Sequence, residues 1–159
     1  STNSWFDIKT DKLKYETILT SIGFNEAYSN TKKMRSLMDQ EIAILGNSKK
    51  LFLGGTYQGG AMALLAAYTY KEEIGGLVSF SGFMLPKTEV KGKTFPLFIY
   101  VSEIDDVVNY DFVLASLFLI NMQQDITLYQ DKASGHQVPP DVFPEVGSGF
   151  PNYWNLRNR

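Results

Sequence analysis

Two apolar patterns alternate along the chain. Short apolar runs bounded by glycine, proline or polar residues are typical of buried strands, and longer apolar or 3–4-spaced stretches are typical of helices. The first pattern predicts four strands, at residues 51–53, 77–80, 95–102 and 125–130. The second predicts three helices, at residues 30–45, 59–70 and 110–122. Residues 1–28 are polar and aromatic and predict a loop with one short helix.

This alternation favours an α/β fold with a mainly parallel sheet of about four strands, covered by helices on both faces. Right-handed crossovers are then expected to put the helices on alternating sides of the sheet. The first helix carries its apolar residues at helical spacing, and Ser29 or Asn30 is placed to cap its start. The residues predicted to share its apolar face are Met34, Leu37, Met38 and Ile42.

From Val138 onward the alternation stops. Residues 138–159 contain four prolines and several aromatic residues. Proline at this density is not expected to form a continuous helix. Two interpretations stay open: a tail that wraps its own domain, or an extended arm that docks on another protein. The sequence therefore divides into a domain over residues 1–137 and a proline- and aromatic-rich tail over residues 138–159.

Composition removes several classes of function. The chain has 159 residues, enough for one domain with a core, and a formal net charge of −2. That charge gives no case for nucleic acid or an anionic membrane as a partner. No apolar run reaches the roughly 18 residues that cross a bilayer. Cysteine is absent, which excludes disulfides and thiolate chemistry. With no signal peptide at the start, we expect an intracellular protein, and the sequence does not identify its compartment.

Candidate chemistry is concentrated in the stretch "LFLGGTYQGGAMALLAAY", which has the form of a strand, a glycine-rich turn and a helix. Gly55 and Gly59 are the small residues that flank a sharp turn, and Tyr57 stands at its centre, where many hydrolases carry a serine nucleophile. Asp105 follows a later strand, and His136, the one histidine in the chain, follows the next. Elbow, acid and histidine in this order match the order of an α/β-hydrolase triad.

The chain resembles the acyl-protein thioesterase group of the phospholipase/carboxylesterase family of α/β-hydrolases. The segments that carry the resemblance, over about residues 4–137, are "SWFDI", "LGGTYQGGAMAL", "SEIDDVV" and "SGHQV". The resemblance aligns Asp105 with the family's catalytic acid and His136 with its catalytic histidine. It implies a partial α/β-hydrolase fold, and enzymes that cleave thioesters of palmitoylated proteins or small carboxylic esters without a cofactor or a metal.

Three departures argue against activity. Tyr57 replaces the nucleophile, and a phenol with a pKa near 10 is weak at neutral pH and carries its hydroxyl beyond the serine position. The resemblance also implies first strands and a His-Gly loop that have no counterpart here. That loop supplies one oxyanion donor, and the amide of Gln58 is the residual one; losing one donor costs about 10²–10³-fold in rate. Finally, the tail replaces the helix that follows the histidine. Ser79, Ser81 and Ser134 do not stand at the elbow.

The sequence thus favours a catalytically inactive, hydrolase-like protein that serves as a structural or interaction subunit of a larger assembly. One alternative is an active carboxylesterase or thioesterase with Tyr57 as nucleophile. Another is an acyl-lipid binding module that uses the old pocket. In the favoured interpretation Tyr57 plugs that pocket, with its hydroxyl on His136 or Asp105.

Partners are expected at two places. Without the family's first strands, Leu51 to Leu53 would form an exposed apolar strand edge, ready to pair with another chain. A partner subunit, the tail or an upstream piece of the same gene product is expected to cover this edge. The second expected contact is the tail over residues 138–159.

Overall fold

The computed structural model describes residues 4–14, 17–86, 88–90, 92–121 and 126–149, and these residues form one parallel four-stranded sheet flanked by helices. The predicted α/β class is therefore confirmed. The strands are β1 (Phe52–Thr56), β2 (Gly76–Phe80), β3 (Leu97–Ser102) and β4 (Ile126–Asp131). The helices are α1 (Ile18–Ser21), α2 (Phe24–Leu45), α3 (Gln58–Thr69), α4 (Tyr110–Asn121) and α5 (Val142–Gly149).

The strands lie in sequence order, β1-β2-β3-β4, and every neighbouring pair is parallel. Each of the four predicted strands is present with small shifts of its ends. The largest shift is in β1, which continues through Gly54 and Gly55 to Thr56 instead of ending at Leu53. Because all strands run the same way, their carboxyl ends meet at one edge of the sheet, where Tyr57, Ser81 and Glu103 begin the following segments.

Helices α2, α3 and α4 pack on one face of the sheet, and α5 packs on the other. Met38, Leu64 and Val113 share one buried cluster with Leu77 and Ile99. The opposite face buries a smaller cluster, in which the partly buried Phe80 and Tyr129 surround the buried residues Phe98, Tyr100 and Val142. The predicted alternation of helices between faces is wrong, because right-handed crossovers that advance along a sequential strand order put successive helices on the same side.

Helix α2 begins earlier than the sequence predicts. Its N-cap is Gly23, so the predicted cap at Ser29 or Asn30 is wrong. The helix ends at Gly46, whose left-handed backbone (φ 75°) lets its N–H donate to the carbonyl of Ile42. The predicted apolar face is right for Met38, which is buried, and wrong for Leu37, which is 56% exposed.

Strand β1 is an edge strand of the sheet within the described part of the chain. The N–H of Tyr57 donates to the carbonyl of Phe80, and the carbonyl of Leu51 accepts from the N–H of Gly75. Hydrogen bonds to one neighbour alternate along a parallel strand, so the N–H groups of Gly54 and Thr56 point away from β2. Both of these residues are exposed.

The region after His136 contains a continuous helix, α5, which corrects the prediction that proline forbids one there. Pro144 is the third residue of α5, within the first turn, where the missing N–H removes no helical hydrogen bond. Val142 is fully buried against the sheet. Residues 138–149 therefore wrap their own domain, whereas residues 150–159, the other part of the predicted tail, lie outside the described residues. None of the described helices has the length and apolar character to span a membrane.

Candidate functional site

Tyr57 occupies a sharp turn between the end of β1 and the start of α3. Its backbone has φ 53° and ψ −115°, a conformation that non-glycine residues rarely adopt. The turn is held at both sides, since the N–H of Tyr57 donates to the carbonyl of Phe80 and the N–H of Ala61 donates to the carbonyl of Tyr57. The backbone is thus that of a nucleophile elbow with a phenol in place of the nucleophile.

Only one of the two predicted elbow glycines is required by close contacts. A Cβ on Gly55 would lie 2.2 Å from the carbonyl carbon of Gly59, whereas a Cβ on Gly59 would meet nothing within 4 Å. The second close approach lies one residue further, at Gly60, where a Cβ would be 2.8 Å from Oγ of Ser79 and 3.0 Å from Cα of Gly82. The prediction that Gly59 avoids a clash is therefore wrong, and Gly60 has this role instead. The adjacent glycines at 59 and 60 were the sequence signal for this region.

Asp105 and His136 come together as the triad order predicts. The imidazole Nδ1 of His136 lies 2.8 Å and 3.0 Å from the two carboxylate oxygens of Asp105. The Asp105 side chain is only 1% exposed, and its Oδ1 also accepts from the backbone N–H groups of Val107 and Val108, each at 2.9 Å. With the proton on Nδ1, the Asp105 carboxylate fixes both the tautomer and the orientation of the ring.

The Tyr57 ring lies against the imidazole of His136. The two ring centroids are 5.2 Å apart with perpendicular planes, and the ring of Phe83 is 6.5 Å away on an edge contact. Within the described residues the Tyr57 hydroxyl makes no hydrogen bond, so the expected bond to His136 or Asp105 is not formed. Burial, and then the charge of Asp105, raises the pKa of Tyr57 above its ordinary value. The phenol therefore stays protonated at neutral pH.

Gln58 connects the elbow to the start of the chain. It is the first residue of α3, so its backbone N–H is one of the donors that a helix leaves unpaired at its N terminus. Its side-chain Nε2 donates to the carbonyl of Phe6 at 3.1 Å, and its Oε1 accepts from the N–H of Trp5 at 3.3 Å. Asn30 donates to the carbonyl of Trp5 as well. Sequence reasoning assigned only the amide of Gln58, because no local pattern marks this long-range clasp.

A cavity of about 320 Å³ opens beside the elbow. The residues that line it are Thr56, Tyr57, Phe80, Ser81, His136 and Val138. Ser81 is 5% exposed and, like Tyr57, has a positive φ (54°). No sequence pattern indicated Ser81, whereas its place at the end of the strand next to β1 brings it to the cavity. Ser79 does not line this cavity. Its Oγ is buried and has no hydrogen-bond partner in the described part of the chain.

The arrangement retains two of the three side-chain roles of a hydrolase triad. An oriented imidazole can accept a proton, but its neighbour is a protonated, half-buried phenol whose oxygen lies at the end of a six-membered ring. Over the described ranges, no group of three or more histidine, cysteine, aspartate or glutamate side chains is arranged to hold a metal ion. The side chains of the site thus support proton transfer in principle and supply no activated nucleophile at the elbow.

Comparison with known proteins finds a family that matches most of the chain. The sequence model of the family described as Phospholipase/Carboxylesterase matches residues 2–148. An acyl-protein thioesterase 1 of Gibberella zeae is 26% identical over 152 residues, covering 89% of this chain and 64% of that protein. A protein of Oryza sativa subsp. japonica named "Probable inactive carboxylesterase" is 30% identical over 84 residues, covering 51% of this chain and 32% of that protein.

The solved structures agree on the fold. The crystal structure of SOBER1 from Arabidopsis thaliana matches with a TM-score of 0.81 at 24% identity, covering 95% of this chain and 74% of that one. The chain therefore spans less than two thirds of the length of the fungal thioesterase and about three quarters of the plant structure.

Proposed function

Since the chain belongs to the phospholipase/carboxylesterase family, we propose that it is a catalytically inactive member that acts as a structural or interaction subunit of a larger protein assembly. The observation that carries the proposal is Tyr57 at the elbow. Its backbone keeps the strained conformation that presents a nucleophile, while its side chain packs against His136 with its phenol protonated. The elbow is thereby filled by an apolar ring instead of an activated hydroxyl.

The loss of chemistry follows from the position of the phenol oxygen. In a serine elbow the histidine Nε2 takes the proton from an oxygen one bond beyond Cβ. In Tyr57 the ring stands between Cβ and the oxygen, and the ring centroid itself lies 5.2 Å from that of His136. Because the Tyr57 hydroxyl makes no hydrogen bond to the described residues, the imidazole of His136 is not in place to take its proton as a general base.

The interaction role is supported by the open edge of β1. The outward N–H groups of Gly54 and Thr56 form the type of edge that pairs with an added strand. The match covers 64% of the fungal thioesterase, so that relative has further residues from which such a strand can be built. We propose that a partner subunit pairs at the Leu51 to Leu53 edge and its continuation to Thr56, and that the segment from Val138 onward contributes a second contact.

The proposal is tested by native mass spectrometry of the protein extracted gently from its source, with two variants at one position. Gly54→Pro removes an outward N–H, whereas Gly54→Ala keeps it, and a Cβ there fits at 3.7 Å from its nearest neighbour. We expect a heteromeric assembly for the wild type and for Gly54→Ala, and its loss in Gly54→Pro. A wild-type protein that appears alone, as a monomer, would overturn the structural-subunit role.

A second candidate function is favoured by one observation. The bond of 2.8 Å between His136 and Asp105 preserves the base and its orienting acid, as an active carboxylesterase or thioesterase requires. That function predicts covalent labelling of Tyr57 by an ester-mimicking probe and loss of turnover in His136→Ala. The absence of label, under conditions in which a serine relative labels fully, would exclude it.

A further inference from the structure

A buried tyrosine in the centre of the sheet contacts both ends of the loop that carries His136. Tyr100 lies in β3 and has no exposed surface. Its hydroxyl is 2.8 Å from Oδ2 of Asp131, the last residue of β4, and 3.0 Å from the carbonyl oxygen of Gln137. Since Gln137 directly follows His136, one hydroxyl proton is shared between acceptors on the two sides of the loop 131–137.

Asp131 extends these contacts to the turn that carries Asp105. Its Oδ1 accepts from the N–H of Ala133 at 2.7 Å, inside the loop. Its backbone carbonyl accepts from the N–H of Glu103 at 2.7 Å, two residues before Asp105. Asp131 therefore joins the two segments: its carboxylate orders the beginning of the histidine loop, and its backbone carbonyl connects that point to the acid turn.

Besides the contact of His136 with Asp105 and a turn bond of 3.3 Å from the N–H of Gln137 to the carbonyl of Ser134, the loop is largely open to solvent. Gly135 has a left-handed backbone with φ 59°, and a Cβ there would meet nothing within 4 Å. Lys132 and Ala133 are exposed, and the side chain of His136 is 30% exposed. A segment with so few apolar contacts opens at low free energy unless specific hydrogen bonds order it. Burial, with the hydrogen bond to Asp131, raises the pKa of Tyr100, so the hydroxyl remains a donor over the whole neutral range.

We propose that Tyr100 is the positioning residue of this loop: its hydroxyl, acting through Asp131 and Gln137, sets the imidazole of His136 against Asp105. The inference goes beyond the proposed function, because it concerns how the Asp105–His136 pair is kept in place whether or not the site turns over a substrate. It also gives a physical reason why Asp105 and His136 keep their hydrogen bond beside Tyr57. The histidine loop is anchored from the core of the sheet and does not depend on a nucleophile.

The hydroxyl can be removed without disturbing the packing of the ring. The Tyr100 ring stacks on that of Tyr129, with centroids 5.9 Å apart, and lies 6.1 Å from that of Phe80. Tyr100→Phe keeps these ring contacts and deletes only the donor. Tyr129→Phe is the matched control, since it removes a hydroxyl from the adjacent ring that makes no hydrogen bond to the described residues.

The test compares these two variants by NMR, using the Nδ1-bound proton of His136 and the exchange rates of the amides of residues 132–137. We expect Tyr100→Phe to broaden or remove the His136 signal and to speed loop exchange by about tenfold or more, as for loss of a hydrogen bond to a charged group. Asp131→Ala should reproduce this effect. Asp131→Asn keeps one acceptor oxygen for the N–H of Ala133, and its amide nitrogen can donate to the Tyr100 hydroxyl, which still donates to the carbonyl of Gln137. It should therefore restore part of the wild-type behaviour, and Tyr129→Phe should change neither signal.

A merely structural role for Tyr100 gives a different pattern. In that case Tyr100→Phe would lower global stability while the His136 signal and the relative exchange of the loop stayed as in the wild type, and this result would overturn the proposal. If Tyr100→Phe did not fold, Asp131→Ala decides, because Asp131 lies at the rim of the sheet and is only half-buried. A wild-type His136 signal in Asp131→Ala would contradict the inference equally.

Discussion

The elbow depends on the close approach of Gly55 to the backbone of the first turn of α3, and Gly55→Ala tests this approach most sharply. A Cβ at position 55 would lie 2.2 Å from the carbonyl carbon and 2.3 Å from the carbonyl oxygen of Gly59, and 2.6 Å from the amide nitrogen of Gly60. All three atoms belong to the backbone of the first turn of α3. They cannot rotate away as a side chain would, so the helix start must move.

The size of the effect follows from the distances. Ordinary van der Waals contact begins near 3.4 Å, so the start of α3 has to shift by more than 1 Å relative to β1. Overpacking a core with a movable side chain costs about 1–3 kcal/mol. A clash with fixed backbone belongs at or above the top of that range, so we expect Gly55→Ala to lower the free energy of unfolding by about 3 kcal/mol or more.

The matched control is Gly59→Ala, in the same turn. A Cβ at position 59 meets nothing within 4 Å, and Gly59 is the second residue of α3, where alanine is favoured over glycine by up to about 1 kcal/mol. Urea unfolding of the three proteins measures both changes. Thermal unfolding should show a loss of roughly 6–12 °C for Gly55→Ala and a small gain for Gly59→Ala. Equal stability of Gly55→Ala and the wild type would refute the close-contact account of the elbow.

Three further predictions concern single side chains. Tyr57→Ser should lower the free energy of unfolding by about 1–2 kcal/mol, because a half-buried ring is lost, and should not create esterase activity; urea unfolding and an ester assay check this. The hydrogen bond from the N–H of Ala133, first among several, lowers the pKa of Asp131, so its stabilisation is present above the unfolded pKa near 3.9 and is lost as pH falls through the lower folded pKa. Unfolding at a series of acid pH values should therefore show a steeper loss for the wild type than for Asp131→Ala. Burial, and then the hydrogen bond to Asp39, raises the pKa of Tyr70 to about 12. The difference in phenolate absorbance between the wild type and Tyr70→Phe should therefore show no titration step near pH 10.

Local sequence signals predicted the strands and the elbow because each is encoded within a few residues. The apolar run that begins at Leu51 marks a strand, although the strand continues through the two glycines to Thr56, and the small apolar residues from Gly59 onward mark a closely packed helix. The approach of His136 to Asp105 was predicted from their order after consecutive strands. Parallel strands bring their carboxyl ends to one edge, which is sufficient to place both side chains together.

The errors in the helices and at the elbow share one physical origin, which is contact between residues distant in sequence. The helix start at Gly23 is tied to the beginning of the chain, since the N–H of Gly23 donates to the carbonyl of Asp7, and Leu37 lies on the side of α2 that stays exposed. No local pattern records either contact. Helix α5 forms despite Pro144 because Val142 is buried against Phe98 and Tyr100 on the second face of the sheet. The clasp of Gln58 on the Trp5 and Phe6 backbone joins groups more than 50 residues apart, beyond the reach of any local motif.

The central claim is the absence of catalysis at an elbow occupied by Tyr57. Its most direct test is the initial rate of hydrolysis of an activated short-chain ester and of an acyl thioester by the wild type and by His136→Ala. We predict that both proteins give the rate of the buffer alone, since no activated nucleophile adjoins the imidazole. A wild-type rate above that of buffer that disappears in His136→Ala would contradict the account and identify the chain as an active hydrolase.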